Sequence, residues 1–142
     1  CFCSAPCESL RHLFFDCPLA QSVLSWLQSL LFCSSPLTPS IALRHVLYGF
    51  SPDELRAVPF AFVYLLNIAK FCIWWARNDF RFRNVPPSAI DVIARVKLRF
   101  RFYLPLFFRR FRSVRRRRFF VRQWGARGYV ASIVNSKLVV KI

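Results

Sequence analysis

Four cysteines and a histidine crowd into the first seventeen residues of the chain, and side chains of these types can bind a metal ion. Cys1, Cys3 and Cys7 precede His12, and Cys17 follows it after four intervening residues. Structural zinc sites hold the ion tetrahedrally with four thiolate or imidazole ligands. His12 and Cys17 can contact one ion from adjacent turns. The alternative is that the cysteines bind no metal and that His12 packs beside the neighbouring phenylalanines.

Two stretches of the sequence resemble a known family. The run ESLRHLFFDCP at Glu8–Pro18 resembles the E-x-L-x-H-L-F-F-x-C-P core of the zinc-binding region at the end of LINE-type reverse transcriptases. LLNIAK at Leu65–Lys70 and IWWARN at Ile73–Asn78 resemble the helix that follows this core in the family. The resemblance covers roughly residues 1–84, and the motif at Glu8–Pro18 is more specific than the helix motif.

The resemblance implies a zinc knuckle. Family members have two cysteines separated by two residues, followed by a histidine and a last cysteine. By this correspondence Cys3 is the second ligand, His12 the third and Cys17 the fourth. Cys1 is a candidate first ligand at a shorter spacing, and Cys7 is the other candidate, where the family usually has a polar residue. We therefore expect zinc to be bound by Cys1, Cys3, His12 and Cys17, or by a set in which Cys7 replaces Cys1.

Residues 107–124 combine arginines with aromatic side chains and are the centre of positive charge. Arginine binds phosphate through two parallel hydrogen bonds, and aromatic rings stack on unpaired bases. This combination predicts contact with single-stranded nucleic acid, with Phe111, Phe119 and Trp124 as stacking or anchoring groups. The arginines expected to contact phosphate are Arg109, Arg110, Arg112, Arg115, Arg116, Arg117, Arg118 and Arg122.

The basic segment has other interpretations. Its phenylalanines can anchor a helix to the core and leave the arginines in solvent. The run Arg115–Arg118 can be a nuclear localisation signal, and a basic amphipathic helix can lie on an anionic membrane. We expect nucleic acid rather than membrane as the partner. The remaining alternative is a fragment of a decayed element that has no function of its own.

The charge balance favours a polyanionic partner and argues against catalysis. The 142 residues have a formal net charge of +16, from 22 Lys and Arg against 6 Asp and Glu. Residues 92–142 contain fifteen of these bases and no acid, and a field of this sign attracts nucleic acid. Because the six acids are scattered, a two-metal phosphoryl-transfer site is hard to assemble, and we expect no catalytic centre.

Apolar periodicity predicts that the elements are helices. One helix begins at Pro18 and runs to about Phe32. A short helix is predicted over Ile41–Tyr48, and a helix that starts at Ser51 must tolerate or restart at Pro59 before it continues. The apolar run 58–76 within it is predicted to be a core helix because Lys70 interrupts it as a membrane span. This helix is expected to end near Arg83.

A further helix is predicted to start at the capping box Ser88–Asp91. Its apolar stripe is expected at Ile93, Val96, Phe100, Tyr103 and Phe107, with Arg95, Arg99 and Arg109 on the other face. The alternation of basic and apolar residues over 95–102 offers a strand as the alternative. The tail 129–142 is predicted to be a strand or a frayed end, and Cys33 and Cys72 are predicted to be buried free thiols.

The fold expected from these patterns is mainly α. A short N-terminal zinc knuckle (1–18) precedes a small helical bundle (19–84) and a basic aromatic helical arm and tail (85–142). The chain begins at Cys1 and contains no Met, so we expect a fragment whose upstream partner is a reverse transcriptase domain. The resemblance implies a non-catalytic, zinc-stabilised module that binds RNA or target DNA in the nucleus or cytoplasm.

Overall fold

The described part of the chain is mainly helical, as predicted. The computed structural model describes residues 9–31, 60–109, 113, 115, 118, 131–134 and 137–142. Its helices are a π-helical turn (His12–Asp16), α1 (Pro18–Leu31), α2 (Phe60–Arg83) and α3 (Ala89–Arg109). Its strands are β1 (Ala131–Val134) and β2 (Lys137–Val140), which pair antiparallel. The helix predicted over Ile41–Tyr48, the predicted helix start at Ser51 and the thiol of Cys33 lie outside these residues.

The π-helical turn joins the histidine of the predicted knuckle to its last cysteine. The Cys17 N–H donates to the His12 carbonyl at 2.9 Å, a five-residue step that defines a π turn. The Ser9 hydroxyl accepts a hydrogen bond from the His12 N–H at 3.0 Å. Pro18 then begins α1 as predicted, because the first position of a helix needs no N–H donor.

Helix α2 covers the apolar run that contains Lys70. Lys70 is half-buried, and desolvation lowers the pKa of its ammonium group. No helix in the described residues is long and apolar enough to span a membrane. The helix ends at Arg83, as predicted, because Asn84 takes the left-handed conformation (φ 54°) and donates its N–H to the Phe80 carbonyl at 3.1 Å. Asn is one of the few residues other than Gly that adopt this conformation readily.

Residues 95–102 are helical and belong to α3, so the strand alternative for them is wrong. The Ser88 hydroxyl accepts from the Asp91 N–H at 3.3 Å, and the Ser88 carbonyl accepts from the Val92 N–H at 3.0 Å, so the Ser88 half of the predicted capping box is confirmed. The predicted apolar stripe is partly wrong, because Tyr103 is exposed and Ile93 only half-buried. The buried positions of α3 recur at four-residue steps, so they lie along one packing ridge of the helix. They are Val92, Val96, Phe100, Leu104 and Phe108.

One hydrophobic core joins these elements. Each of the three α-helices packs on the other two, the π-helical turn packs on α1 and α2, and β2 packs on α3. Phe100 of α3 is fully buried at its centre. The side chains of Cys17 and Cys72 are buried in the same cluster and form no disulfide, as expected for the buried thiol of Cys72. The strand interpretation of the tail is confirmed, and Ile142 reaches the core while its main-chain oxygen accepts a hydrogen bond from Arg101.

The cap at Ser88 gives a first stability prediction. We expect Ser88→Ala to lower the free energy of unfolding by about 1 kcal/mol, because the Asp91 N–H loses its acceptor. Urea denaturation followed by circular dichroism would measure this. Ser25→Ala, at an exposed position within α1, is the matched control and should leave stability unchanged or slightly higher. Equal effects of the two substitutions would contradict the capping role of Ser88.

Candidate nucleic-acid interface

A groove runs between α2 and α3 on the side away from the core. The short connection 84–88 makes the two helices neighbours. On α2 the lining side chains lie at four-residue steps along one ridge, and on α3 they lie along two adjacent ridges. From α2 they are Phe71, Trp75, Asp79 and Arg83, with Cys72 beside them; from α3 they are Arg95, Leu98, Arg99, Phe102 and Tyr103. These residues define the α2–α3 groove, which encloses about 580 Å³.

Asp79 anchors the end of the groove next to the connection. It is 8% exposed, and it is the one charged residue among the buried side chains of the described part of the chain. Its two carboxylate oxygens accept hydrogen bonds from two arginines: Arg95 of α3 at 2.9 Å and Arg83 of its own helix at 3.3 Å. Because Arg95 is on the other helix, this ion pair fixes the position of α3 along α2.

Arg99 lies at the middle of the groove and has a different environment. Its guanidinium stacks over the Phe71 ring, 4.6 Å from the ring centroid. Its positive charge also acts on the neighbouring Cys72 thiol. Burial raises the pKa of this thiol, and the charges of Arg99 and Arg95 oppose the rise only in part. Within the described residues no carboxylate pairs with Arg99, so its positive charge is available to an anion.

The far end of the groove is aromatic. A second cavity of about 480 Å³ continues from the first and shares Phe71, Arg99 and Tyr103 with it. Tyr64, Asn67 and Ile68 complete its lining. Burial, and secondarily the nearby Tyr103, raises the pKa of Tyr64, so the Tyr64 phenol stays a neutral hydrogen-bonding group at physiological pH.

The two helices that form the groove are strongly basic. Helices α2 and α3 contain nine Lys and Arg against two Asp, and one of these carboxylates, Asp79, is already engaged by two arginines. The groove lining itself has three arginines and one aspartate. The field in the groove is therefore positive, and it suits an anionic ligand that can also use flat apolar surface.

The predicted phosphate-binding arginines are only partly within the described residues. Arg109 is exposed at the last position of α3. Arg115 and Arg118 are also exposed. The remaining members of the set lie outside the described residues: Arg110, Arg112, Arg116, Arg117 and Arg122.

Two of the predicted zinc ligands are described. His12 is half-buried and Cys17 is 1% exposed, and one π turn separates them, so an imidazole and a thiol are close along the chain. Among the described residues no group of three or more His, Cys, Asp or Glu could hold a metal ion. Cys1, Cys3 and Cys7 lie outside the described residues. The donor chemistry of His12 and Cys17 fits zinc, and the other ligands expected from the motif lie before Ser9.

The α2–α3 groove was not identified as a site from the sequence. The prediction placed Arg95 and Arg99 on the solvent face of α3 and centred the binding function farther along the chain. A signal was present, because Phe71 and Trp75 continue at four-residue steps to Asp79 and Arg83. A row of aromatic and charged residues beside the core face indicates a second, partly solvated surface on the same helix.

Comparison with known proteins adds no family to this geometry. No family model, no curated protein and no solved structure matches the chain. The resemblance to LINE-type reverse transcriptases therefore rests on the motifs at Glu8–Pro18, Leu65–Lys70 and Ile73–Asn78, and the chemistry of the groove is independent of it.

The ion pair at Asp79 gives a second stability prediction. We expect Asp79→Asn to lower the free energy of unfolding by about 1–2 kcal/mol, between the values for exposed and buried pairs, because Arg95 is 45% and Asp79 11% exposed in their side chains. Chemical denaturation at low salt would measure it. Asp91→Asn, which removes an exposed carboxylate from the first turn of α3, should cost about 0.3–1 kcal/mol. A loss no larger at Asp79 than at Asp91 would count against the pair.

Proposed function

We propose that this chain is a non-catalytic nucleic-acid-binding module, the C-terminal part of a retrotransposon reverse transcriptase, that contacts RNA or target DNA. The observation that carries the proposal is the α2–α3 groove, where arginine guanidinium groups lie beside exposed aromatic rings. Phosphate contact by arginine and ring stacking on bases are the two contacts that proteins combine to bind nucleic acid without a fixed sequence. The retrotransposon origin comes from the sequence motifs alone.

Binding would proceed by charge attraction followed by short-range contact. The field of a chain with net charge +16 draws a polyanion to the surface and raises the association rate. Arg99, which has no carboxylate partner among the described residues, then contacts phosphate. The exposed Arg109, Arg115 and Arg118, with the other arginines of the predicted set, extend the phosphate-binding surface beyond α3.

Arg99 is the position that tests this function. We expect Arg99→Gln to weaken the binding of single-stranded RNA and to reduce the slope of log affinity against log salt by about 0.7, the value for one released phosphate contact. Fluorescence anisotropy across a salt series would measure both quantities.

Arg81→Gln is the matched control for Arg99. Arg81 is exposed on α2 but does not line the groove, and it stacks on Phe82 at 5.7 Å as Arg99 does on Phe71. The two variants have the same net charge, so a response to charge alone would make them equal. Equal slopes for both variants would refute the assignment of the groove as the binding surface.

We also propose that the module binds zinc through the predicted knuckle. His12 and Cys17 would supply an imidazole and a thiolate, and Cys1 and Cys3, or Cys7, would complete a four-ligand site. The ion would have a structural role, because a closed set of four protein ligands leaves no position for substrate. Since the π-helical turn packs on α1 and α2, bound metal would stabilise the core that supports the groove.

Zinc content tests this second proposal. Elemental analysis of the purified, reduced chain should find about one zinc per chain. Cys17→Ser and His12→Ala should each reduce that content. Cys72→Ser is the control, because Cys72 is likewise a cysteine that is 1% exposed and in no disulfide, but it lies in the groove. Zinc retained by Cys17→Ser to the same degree as by Cys72→Ser would exclude Cys17 as a ligand.

A further inference from the structure

From the aromatic walls of the α2–α3 groove, we infer that the groove binds unpaired bases, so that the module selects single-stranded over duplex nucleic acid. This inference rests on the proposed function and adds the form of the ligand to it. The argument uses three features of the groove: the exposure of its rings, the stacked arginine and its length.

The rings that line the groove are unusually exposed. Phe71, Trp75, Phe102 and Tyr103 are between 38% and 66% exposed, although fully buried leucines and valines fill the core beside them. Large aromatic side chains dominate cores and interfaces because burying them is favourable. Four of them along one groove, which none of the described elements covers, form a surface suited to a flat apolar ligand.

The rings also contact one another and hold defined positions. Phe71 and Trp75 lie 5.6 Å apart between centroids, and Phe102 meets Tyr103 edge to face at 5.3 Å. The Arg99 guanidinium, stacked at 4.6 Å on Phe71, adds a planar cation to the same wall. A base entering the groove would find preorganised flat partners and would not need to order flexible side chains first.

Charge favours a polyanion over the other ligands that such a wall would accept. With three arginines against one aspartate in its lining, the groove repels a second copy of this cationic chain, and a neutral apolar peptide would gain nothing from the positive field. A ligand with regular negative charges and flat apolar groups fits both the arginines and the rings. Single-stranded nucleic acid has both, whereas in a duplex the base faces are stacked on each other and cannot reach the rings.

The length of the groove agrees with a short single strand. The lining runs from Arg83 back to Tyr64, and about 19 helical residues at about 1.5 Å each give roughly 28 Å. At about 3.4 Å per stacked nucleotide, this length takes about eight nucleotides. Arg99, at the middle of the groove, would contact a backbone phosphate, and the Tyr64 end would accommodate bases.

The decisive probe is a strand that keeps its phosphates and lacks its bases. Binding of the full 142-residue chain would be measured by anisotropy to three labelled DNAs of about 12 nucleotides: oligothymidine, an abasic strand and a duplex. We expect oligothymidine to bind roughly 10-fold more tightly than the abasic strand, and also more tightly than the duplex.

Ring variants assign the preference to the groove. Trp75→Leu and Tyr103→Leu should each bring the affinity for oligothymidine towards that for the abasic strand, whereas Tyr103→Phe, which keeps the ring, should not. Phe82→Leu is the matched control, because Phe82 is 74% exposed on α2 and does not line the groove. Circular dichroism of each variant would verify that it folds.

The outcomes separate this inference from the proposed function. If none of the three DNAs and no RNA binds at low salt, the proposed function fails. If all three DNAs bind equally and the ring variants behave like Phe82→Leu, the module binds nucleic acid through charge alone and the inference is wrong. A concentration-dependent dimer in sedimentation that persists with excess oligothymidine, and that Trp75→Leu disrupts, would show that a second copy occupies the groove and would overturn the inference.

Discussion

The ion pair between Asp79 and Arg95 is the contact on which the described surface depends. It connects α2 to α3 across sixteen residues of sequence at 2.9 Å, next to the connection between the helices. Apolar ridges alone allow two helices to slide by a turn at modest cost, since leucine and valine side chains replace one another with little change in contact. A single buried carboxylate with one partner on the opposite helix penalises such a shift, because the shift would leave a charge without its partner. Because the two helices are aligned in this way, Arg99 of α3 lies over the Phe71 ring of α2.

The alignment explains how a chain with so many aromatic residues forms both a core and a groove. One row of residues at steps of four on α3 enters the core, and it consists of Val92, Val96, Phe100 and Leu104. Another row at steps of four faces the groove, and it consists of Arg95, Arg99 and Tyr103. The rows are three positions apart, so each lies along its own ridge of the same helix. The core row supplies the hydrophobic stabilisation. The groove row can then keep exposed rings without loss of the fold.

Local signals in the sequence predicted the local parts of this structure. Pro18 and Ser88 start helices, and Asn84 ends one, through contacts within a few residues, so reading the chain in order is sufficient to place them. The buried stripe of α3 was predicted one position off at Tyr103, because periodicity alone cannot say which of two adjacent ridges meets the other helices. The pairing of Asp79 with Arg95 is tertiary, and no pattern within either helix specifies it. The zinc ligands before Ser9 remain a prediction, since they depend on a motif and lie outside the described residues.

The charge of the chain connects its stability to its proposed ligand. Helices α2 and α3 contain nine basic residues against two acidic ones. The basic residues repel one another in the folded state, because the packing of the helices holds them closer together than in the unfolded chain. Burial of Lys70 adds to this cost, as the direction of its pKa shift indicates. A polyanion that binds only the folded groove offsets the repulsion and stabilises the fold by mass action. The excess of arginine that favours the proposed binding therefore also makes the free module less stable than its core alone would allow, and nucleic acid bound in the groove would help to hold α2 and α3 together.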